Sequence, residues 1–348
     1  MKVICQGSEL SDALAKVTRA LPVKRTTPIL DGVKLSAYGD TLTLFATDAE
    51  LSIEKKINAE VLLEGEFVVP GKLFAEYAKK LEGETLELSV TDGKKLGIKY
   101  LDSVLNINGN STDEYPVFRD VSKEKSFIIL KKDLKDLINK IIFCVATEDT
   151  RPALKGCCLT VKDNTLEGVS SDGFRLALAK KTVKCNGMEE SIVVPAKSLL
   201  ELGKLMDDEE ESISVYVEKN SIMVDLFHTK LVSRLIAETY MSYDKIIQVD
   251  VQTEVTLDKK LFENAMERVS IISRGAKNGN VNFDIKEDSI TLGAESSYGV
   301  ISEQVPASMN GPDLNAGFNS NYILECLNTV VVQYFPFNFL ISTSHFLI

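Results

Sequence analysis

Phe67-Val68-Val69-Pro70-Gly71-Lys72-Leu73-Phe74 is an apolar run broken by a proline, and Ala75-Glu76-Tyr77-Ala78-Lys79-Lys80-Leu81 follows it. The arrangement returns as Ile192-Val193-Val194-Pro195-Ala196-Lys197-Ser198-Leu199-Leu200, followed by Glu201-Leu202-Gly203-Lys204-Leu205. Each copy reads as a short buried strand running into a helix. The apolar triplets have strand composition. Proline cannot continue a ladder, but it suits the first turn of a helix. Leu73, Tyr77 and Leu81, and then Leu199, Leu202 and Leu205, recur at helical spacing and predict the buried stripes. A repeated unit fixes the architecture before any other feature is weighed.

Working outward, the first copy opens with a strand at Lys2–Cys5 and a helix expected to be capped by Ser8, with Leu10, Leu14 and Val17 as its buried face. A loop through Pro22–Pro28 leads to strands, to the Val69-Pro70 helix and to further strands, and Asp113-Glu114-Tyr115-Pro116 closes the copy. The plan restarts at Phe127–Leu130, with Leu134, Leu137, Ile138 and Ile141 on the next helix. Thr150-Arg151-Pro152-Ala153-Leu154 answers Thr27-Pro28-Ile29-Leu30, and Ser171-Asp172 answers Thr47-Asp48. A third restart follows at Glu254–Leu257, with helices from Asp258 and from Asn319. The chain therefore reads as α+β, three similar domains over 1–125, 126–250 and 251–348, each two strand-helix-strands units. No Gly-, Pro- or Ser-rich linker separates them. The third is expected to be incomplete, because residues 330–348 carry no formal charge and leave room for two strands where three are needed.

The 348 residues carry a net charge of −11, against a protein that coats nucleic acid with its whole surface. The six cysteines form no CxxC pair, and the start of the chain has no apolar export signal, so buried free thiols in a cytoplasmic protein are expected. No zinc or nucleotide-hydrolysis motif and no nucleophile elbow is present. No catalytic residue, metal or cofactor is assigned. His228 is expected on a strand surface, and Asp48 and Asp172 are expected to brace turns. The Asp207–Glu211 run reads as a solvated loop. The predicted helices gather Lys72, Lys79, Lys80, Lys131, Lys132, Lys135, Lys140, Lys197, Lys204, Lys259 and Lys260, and are together net positive, so the remainder is more acidic than the whole. That division suits a surface that meets a polyanion. A sequence-specific DNA-binding protein, or an enzyme acting on a phosphorylated substrate, remains an alternative from charge alone.

Taken in order, Thr27-Pro28-Ile29-Leu30, Ala46-Thr47-Asp48, Val68-Val69-Pro70, Asp113-Glu114-Tyr115-Pro116, Ser171-Asp172-Gly173-Phe174-Arg175-Leu176-Ala177, Val193-Val194-Pro195-Ala196-Lys197 and Ser233-Arg234-Leu235-Ile236 resemble the bacterial DNA polymerase III β-subunit family, the sliding clamps. The resemblance covers residues 1 to about 329 and fails beyond Thr329, where a change of reading frame or a truncation is the expectation. It implies a non-enzymatic processivity factor, a homodimer closed head to tail around duplex DNA, with helices lining a concave inner face. It implies DNA contacts at Lys24, Arg25, Glu148, Arg151 and Lys197. It implies a pocket for peptides of the polymerase, clamp loader and repair polymerases at Leu154, Ser171, Gly173, Phe174, Arg175, Leu176, Met241 and Ile246. Met241 stands where relatives carry proline. Leu105 and Ile107 of one chain would meet Ile271 and Ile272 of the other.

Overall fold

The computed structural model describes residues 1–24, 27–81, 83–91, 93–148, 151–207, 210–247, 251–276, 279–340 and 346–347. It divides into two compact units, Met1–Tyr240 and Met241–Ile348.

In the first unit the opening copy runs β1 (Lys2–Gln6), α1 (Gly7–Val17), β2 (Gly32–Tyr38), β3 (Thr41–Thr47), β4 (Leu51–Asn58), β5 (Glu60–Leu63), β6 (Gly65–Pro70), α2 (Gly71–Ala78), β7 (Thr85–Thr91), β8 (Lys95–Tyr100) and β9 (Ser103–Asn108). The second copy runs β10 (Ser126–Leu130), α3 (Lys131–Ile141), β11 (Gly156–Lys162), β12 (Thr165–Ser171), β13 (Leu176–Thr182), β14 (Glu190–Pro195), α4 (Ala196–Leu205), β15 (Ser212–Glu218), β16 (Ser221–Asp225) and β17 (Thr229–Arg234). The repeated apolar-proline stretches are β6–α2 and β14–α4. Pro70 and Pro195 are the last paired residues of their strands, opposite Gly32 and Gly156, and the helices begin one residue later.

Alternate burial along the strands directs one face of each sheet at the helices. Leu10, Leu14 and Val17 of α1, and Leu134, Leu137, Ile138 and Ile141 of α3, are buried as their spacing predicts. The stripe on α4 also holds, with Leu199, Leu202 and Leu205 buried. On α2 the phase differs from the expectation. Leu73 is exposed, and Phe74, Ala75 and Ala78 are buried instead. The helix stops at Ala78, so Leu81 lies beyond it. Ser8 does not cap α1: the cap is Gln6, and the Gly7 amide donates instead to Glu84 O at 2.9 Å.

The two copies of this unit are joined by backbone. The strand order β10-β15-β16-β17-β4-β3-β2-β6 is one sheet of eight strands. At its middle, β4 of the first copy pairs antiparallel with β17 of the second, Leu51–Lys55 against Ser233–Thr229. Ile53 faces Leu231 across that seam, and both are buried in a core continuous through the two copies.

The second unit contains α5 (Asp244–Ile247), β18 (Val251–Asp258), α6 (Lys259–Ser273), β19 (Asn280–Lys286), β20 (Ser289–Ser296), β21 (Gly299–Asn310), β22 (Leu314–Asn319), α7 (Ser320–Leu327), β23 (Tyr334–Leu340) and β24 (Phe346–Leu347). Side chains cap both long helices: Asp258 accepts from the Leu261 amide and Asn319 from the Asn321 amide. Its strand order is β22-β19-β20-β21-β18-β23-β24. The uncharged stretch after Thr329 does not abandon the repeated plan. Tyr334–Leu340 pairs with β18, as β7 pairs with β1 and β15 with β10. Phe335 and Phe337 are buried, and their rings stand 6.2 and 5.9 Å from Phe262 of α6. The strand supplies apolar residues on its inward face, and that suffices to continue the sheet without charge on the other.

Leu231→Ala should cost about 2–5 kcal/mol through the cavity left beside Ile53. Because the core is shared, chemical denaturation followed at probes in either copy of the first unit should show one common transition shifted to lower denaturant. Separate transitions for the two copies would contradict the shared core.

Candidate functional site

The turn between β12 and β13 carries most of the predicted pocket residues, and its shape follows from short polar side chains. Ser171 Oγ donates to Arg175 O at 2.7 Å and accepts from the Gly173 amide at 3.1 Å. Asp172 Oδ1 accepts from the amides of Phe174 at 2.9 Å and Arg175 at 3.0 Å. Gly173 has φ +91°, and no atom lies within 4 Å of where a Cβ would be. Glycine takes this left-handed position without strain, and the space above it is open.

The same turn occurs between β3 and β4. Thr47 Oγ1 donates to Leu51 O and accepts from the Ala49 amide, both at 3.0 Å. Asp48 Oδ1 accepts from the amides of Glu50 at 3.0 Å and Leu51 at 2.7 Å. Ala49 takes the left-handed position with φ 77°. Asp48 and Asp172 thus brace turns, in different copies.

What differs is the free oxygen of each aspartate. Asp172 Oδ2 pairs with Arg175 Nε of its own turn at 2.9 Å. The Arg175 guanidinium lies 5.3 Å from the centre of the Phe143 ring and donates through Nη2 to Phe143 O at 3.1 Å. Phe174 is left 81% exposed, beside the open space over Gly173. Leu176 opens β13, half-buried. Leu154 is buried on the short turn Pro152–Lys155, where its carbonyl accepts from Ala146 at 2.9 Å and the neighbouring Ala153 amide donates to Glu238 Oε2 at 3.3 Å. Tyr240 buries its hydroxyl against the Ser171 backbone, and burial is the main cause pushing that phenol up. Tyr115, at the matching place in the first copy, donates to Gly32 O at 2.8 Å. The roles of Phe143 and Tyr240 were not read from sequence. The available signal was a tyrosine near the close of each of the first two copies, in Asp113-Glu114-Tyr115-Pro116 and in Glu238-Thr239-Tyr240-Met241. Met241, half-buried, and Ile246, exposed on α5, belong to the second unit.

The lysines of the helices are less available than their number suggests. Lys197, at the start of α4, pairs with Asp48 Oδ2 of the first copy. Arg19 pairs across the same seam with Glu201 at 3.1 Å, and Lys204 with Glu201 at 2.8 Å. Lys131 is nearly buried between Asp207 at 2.8 Å and Glu211 at 2.9 Å. Desolvation works against its charge, but those two carboxylates outweigh it and hold the ammonium above the ordinary lysine range. Lys132 pairs with Glu210. The acidic run after α4 is the solvated loop expected, and through Asp207, Glu210 and Glu211 it also supplies counter-charge to the α3 N-terminus. Lys140 pairs with Asp136 and Lys259 with Glu263. Lys24, Glu148 and Arg151 are exposed. Arg25 lies outside the described residues, as does His345, while His228 is exposed in the turn between β16 and β17.

Leu105 and Ile107 lie on β9, the edge of the sheet β5-β1-β7-β8-β9. Leu105 is half-buried and Ile107 buried. Ile271 and Ile272 lie near the end of α6, the first 58% exposed and the second half-buried against the second unit's core. The described residues contain no group of three or more His, Cys, Asp or Glu placed to hold a metal, and no helix among them is long and apolar enough to cross a membrane.

Three family models match the chain in order: DNA polymerase III beta subunit, N-terminal domain, over residues 1–119; central domain, over 129–241; and C-terminal domain, over 244–348. The last match runs through the stretch after Thr329. A beta sliding clamp of Halalkalibacterium halodurans is 32% identical over 328 residues, 90% of this chain and 86% of the relative. The crystal structure of the DNA polymerase sliding clamp from Bacillus subtilis is 28% identical with a TM-score of 0.94, over 98% of this chain and 93% of that one. The crystal structure of the DNA polymerase III beta subunit from Thermotoga maritima is 28% identical with a TM-score of 0.91, over 97% and 92%.

Burial works against the Glu201 charge, but its pairs with Lys204 and Arg19 prevail and hold the carboxyl below the usual range. A depressed folded value means the stabilisation is present above the unfolded glutamate value near 4.3 and is lost as pH falls through the folded value. Glu201→Gln should therefore cost about 0.5–1 kcal/mol at neutral pH. Urea melts of both proteins should converge on acidification to about pH 3. A difference that does not change with pH would contradict the ion-pair assignment.

Proposed function

The chain belongs to the DNA polymerase III β-subunit family of sliding clamps, accessory rather than catalytic subunits of the replicative polymerase, and from that premise we propose that two copies close into a ring that holds duplex DNA by enclosure. The observation that carries this reading is the seam between β4 and β17. There the third long strand of one copy accepts the last strand of the next. The same rule applied to the free edges pairs β21 of one chain with β9 of a second. Residues 299–306 of β21 are laddered on one side to β20, whereas β18 takes only 307–310 on the other. Val300 on β21 and Val104 on β9 are 74% and 68% exposed. Open edges of this kind are ready templates for pairing with another chain.

Counting from the helix caps gives the side chains at that contact. Ile271 is as far from Asp258 as Arg19 is from Gln6, and Leu105 and Ile107 match Leu231 and Ser233 by strand position. The Arg19–Glu201 ion pair of the internal seam would give way to apolar contact of Ile271 and Ile272 with Leu105 and Ile107. Such a contact occurs twice in a two-fold dimer and closes it.

DNA grip in this reading is weak and independent of sequence. Lys24, Arg25, Arg151 and Lys197 would face phosphates, with Lys197 shared between DNA and Asp48, and Glu148 would lie beside the duplex without binding phosphate. Few free cations release few counterions, which leaves the duplex able to slide. Leu154, Ser171, Gly173, Phe174, Arg175 and Leu176 would take a short peptide of the polymerase, the clamp loader or a repair polymerase, the open space over Gly173 admitting its backbone, and Met241 and Ile246 of the second unit are proposed for the same peptide. The work place is the cytoplasm, where bacterial DNA is replicated.

The protein loaded on nicked circular DNA should stay bound through gel filtration and leave once the circle is cut; equal loss from both would refute enclosure. Ile271→Asp should turn a solution mass of two chains into one at micromolar concentration without lowering the melting temperature of the second unit, because Ile271 is largely exposed in the single chain. An unchanged mass would remove Ile271 from the contact.

A further inference from the structure

Below the seam between β4 and β17 the first unit contains a cleft of about 330 Å³ that the clamp reading does not use. Both copies line it. Lys16 of α1 and Lys55 of β4 come from the first, and Lys131, Leu205 and the turn Leu226–Thr229 from the second.

Lys55 is out of place by pattern. Leu51, Ile53 and Ile57 alternate into the core along β4, and Lys55 shares their face. It stands opposite buried Thr229 of β17 and is half-buried itself. Among the described residues no carboxylate lies within ion-pair distance of it, whereas Lys16 is paired with Asp12 at 2.9 Å and Lys131 with Asp207 and Glu211, whose carboxylates also border the cleft. Burial first, and then the Lys16 charge, pull the Lys55 ammonium below the ordinary lysine range, against the opposing pull of Asp12 and Glu9. A buried-side ammonium left next to another cation is unfavourable unless an anion joins them.

The mouth adds a second feature. Phe227 has φ 65°, the left-handed region that a phenylalanine avoids, and its ring is 58% exposed. The turn is held there by the Phe227 amide donating to Asp225 Oδ1 at 3.0 Å and the Leu226 amide to Thr229 O at 2.8 Å. Strain and an exposed aromatic beside a cationic cleft are features that collect at ligand sites.

We propose that this cleft binds a small phosphomonoester, its phosphoryl group between Lys55 and Lys16 and its organic part against Leu205 and Phe227. Asp207 and Glu211 are spent on Lys131, so they oppose the anion less than bare carboxylates would. The site is independent of ring closure and of the peptide slot.

Thermal melts of the full chain at constant ionic strength test it, with inorganic phosphate, adenosine monophosphate and adenosine as probes. Phosphate should raise the melting temperature saturably, the monophosphate should act at lower concentration, and adenosine should do nothing. Lys55→Met should fold at least as stably without ligand and bind both phosphates about tenfold or more weakly. Phe227→Gly, which suits the turn, should bring the monophosphate down to the level of phosphate. A rise that never saturates, or is equal in Lys55→Met, would mark a general salt effect and overturn the site. Equal action of phosphate and the monophosphate on the wild type would overturn the placement of the organic part.

Discussion

A strand that ends a sheet must find a partner or be protected, and in this protein the repeated copies supply partners to one another. The ladder between β4 and β17 turns two copies into one sheet of eight strands and one core. Everything placed near it depends on that pairing. The Lys197–Asp48 and Arg19–Glu201 pairs span the two copies only because the ladder fixes their distance. Backbone hydrogen bonds set the geometry, and the ion pairs on a partly wetted seam add little to stability by comparison.

Electrostatics are organised by compensation. Helices rich in lysine suggested a surface that meets a polyanion, yet many of those lysines meet a carboxylate from their own helix, from a loop packed beside it or from the neighbouring copy. The acidic run after α4 belongs to the α3 N-terminus through Lys131 and Lys132. Such a surface draws a phosphate backbone only as far as the phosphates compete with built-in carboxylates, which suits the proposed hold by enclosure. Lys55 differs in being half-buried at the seam, on the face of β4 that carries Leu51, Ile53 and Ile57, with no carboxylate at ion-pair distance among the described residues.

Duplication left the same turn in two copies and gave it two uses. Four hydrogen bonds recur almost unchanged, from Thr47 and Asp48 and from Ser171 and Asp172. In the first copy the spare oxygen of the aspartate goes to Lys197 of the neighbouring copy and the turn becomes part of a joint. In the second it holds Arg175 over Phe143, and a glycine in place of Ala49 leaves open space with Phe174 at its rim. A common scaffold thus becomes a joint in one copy and borders open space in the other according to two or three side chains.

The repeat was legible in the sequence because proline breaks and apolar alternation are local signals. The strand-to-helix joints at Pro70 and Pro195, the buried faces of α1, α3 and α4 and the aspartate turns all follow from residues a few positions apart. The family was legible for the same reason, as short motifs in a fixed order. Where the sequence reading went astray, the deciding contact was distant. Leu73 is at helical spacing, but the rotation of α2 follows the packing of Phe74 and Ala78 against the core. The uncharged end of the chain looked unlike the rest, yet pairing with β18 and burial of Phe335 and Phe337 beside Phe262 make Tyr334–Leu340 a strand of the plan, while the described residues after α7 hold two strands, as many as the sequence left room for. Charge counts located the lysines but not their partners, since Lys197 and Asp48 are joined only by the fold. Periodicity by itself determined which elements exist and that they repeat; which edges meet, and which charges are cancelled there, was decided by tertiary structure, because pairing energy depends on distances through space that spacing along the chain does not encode.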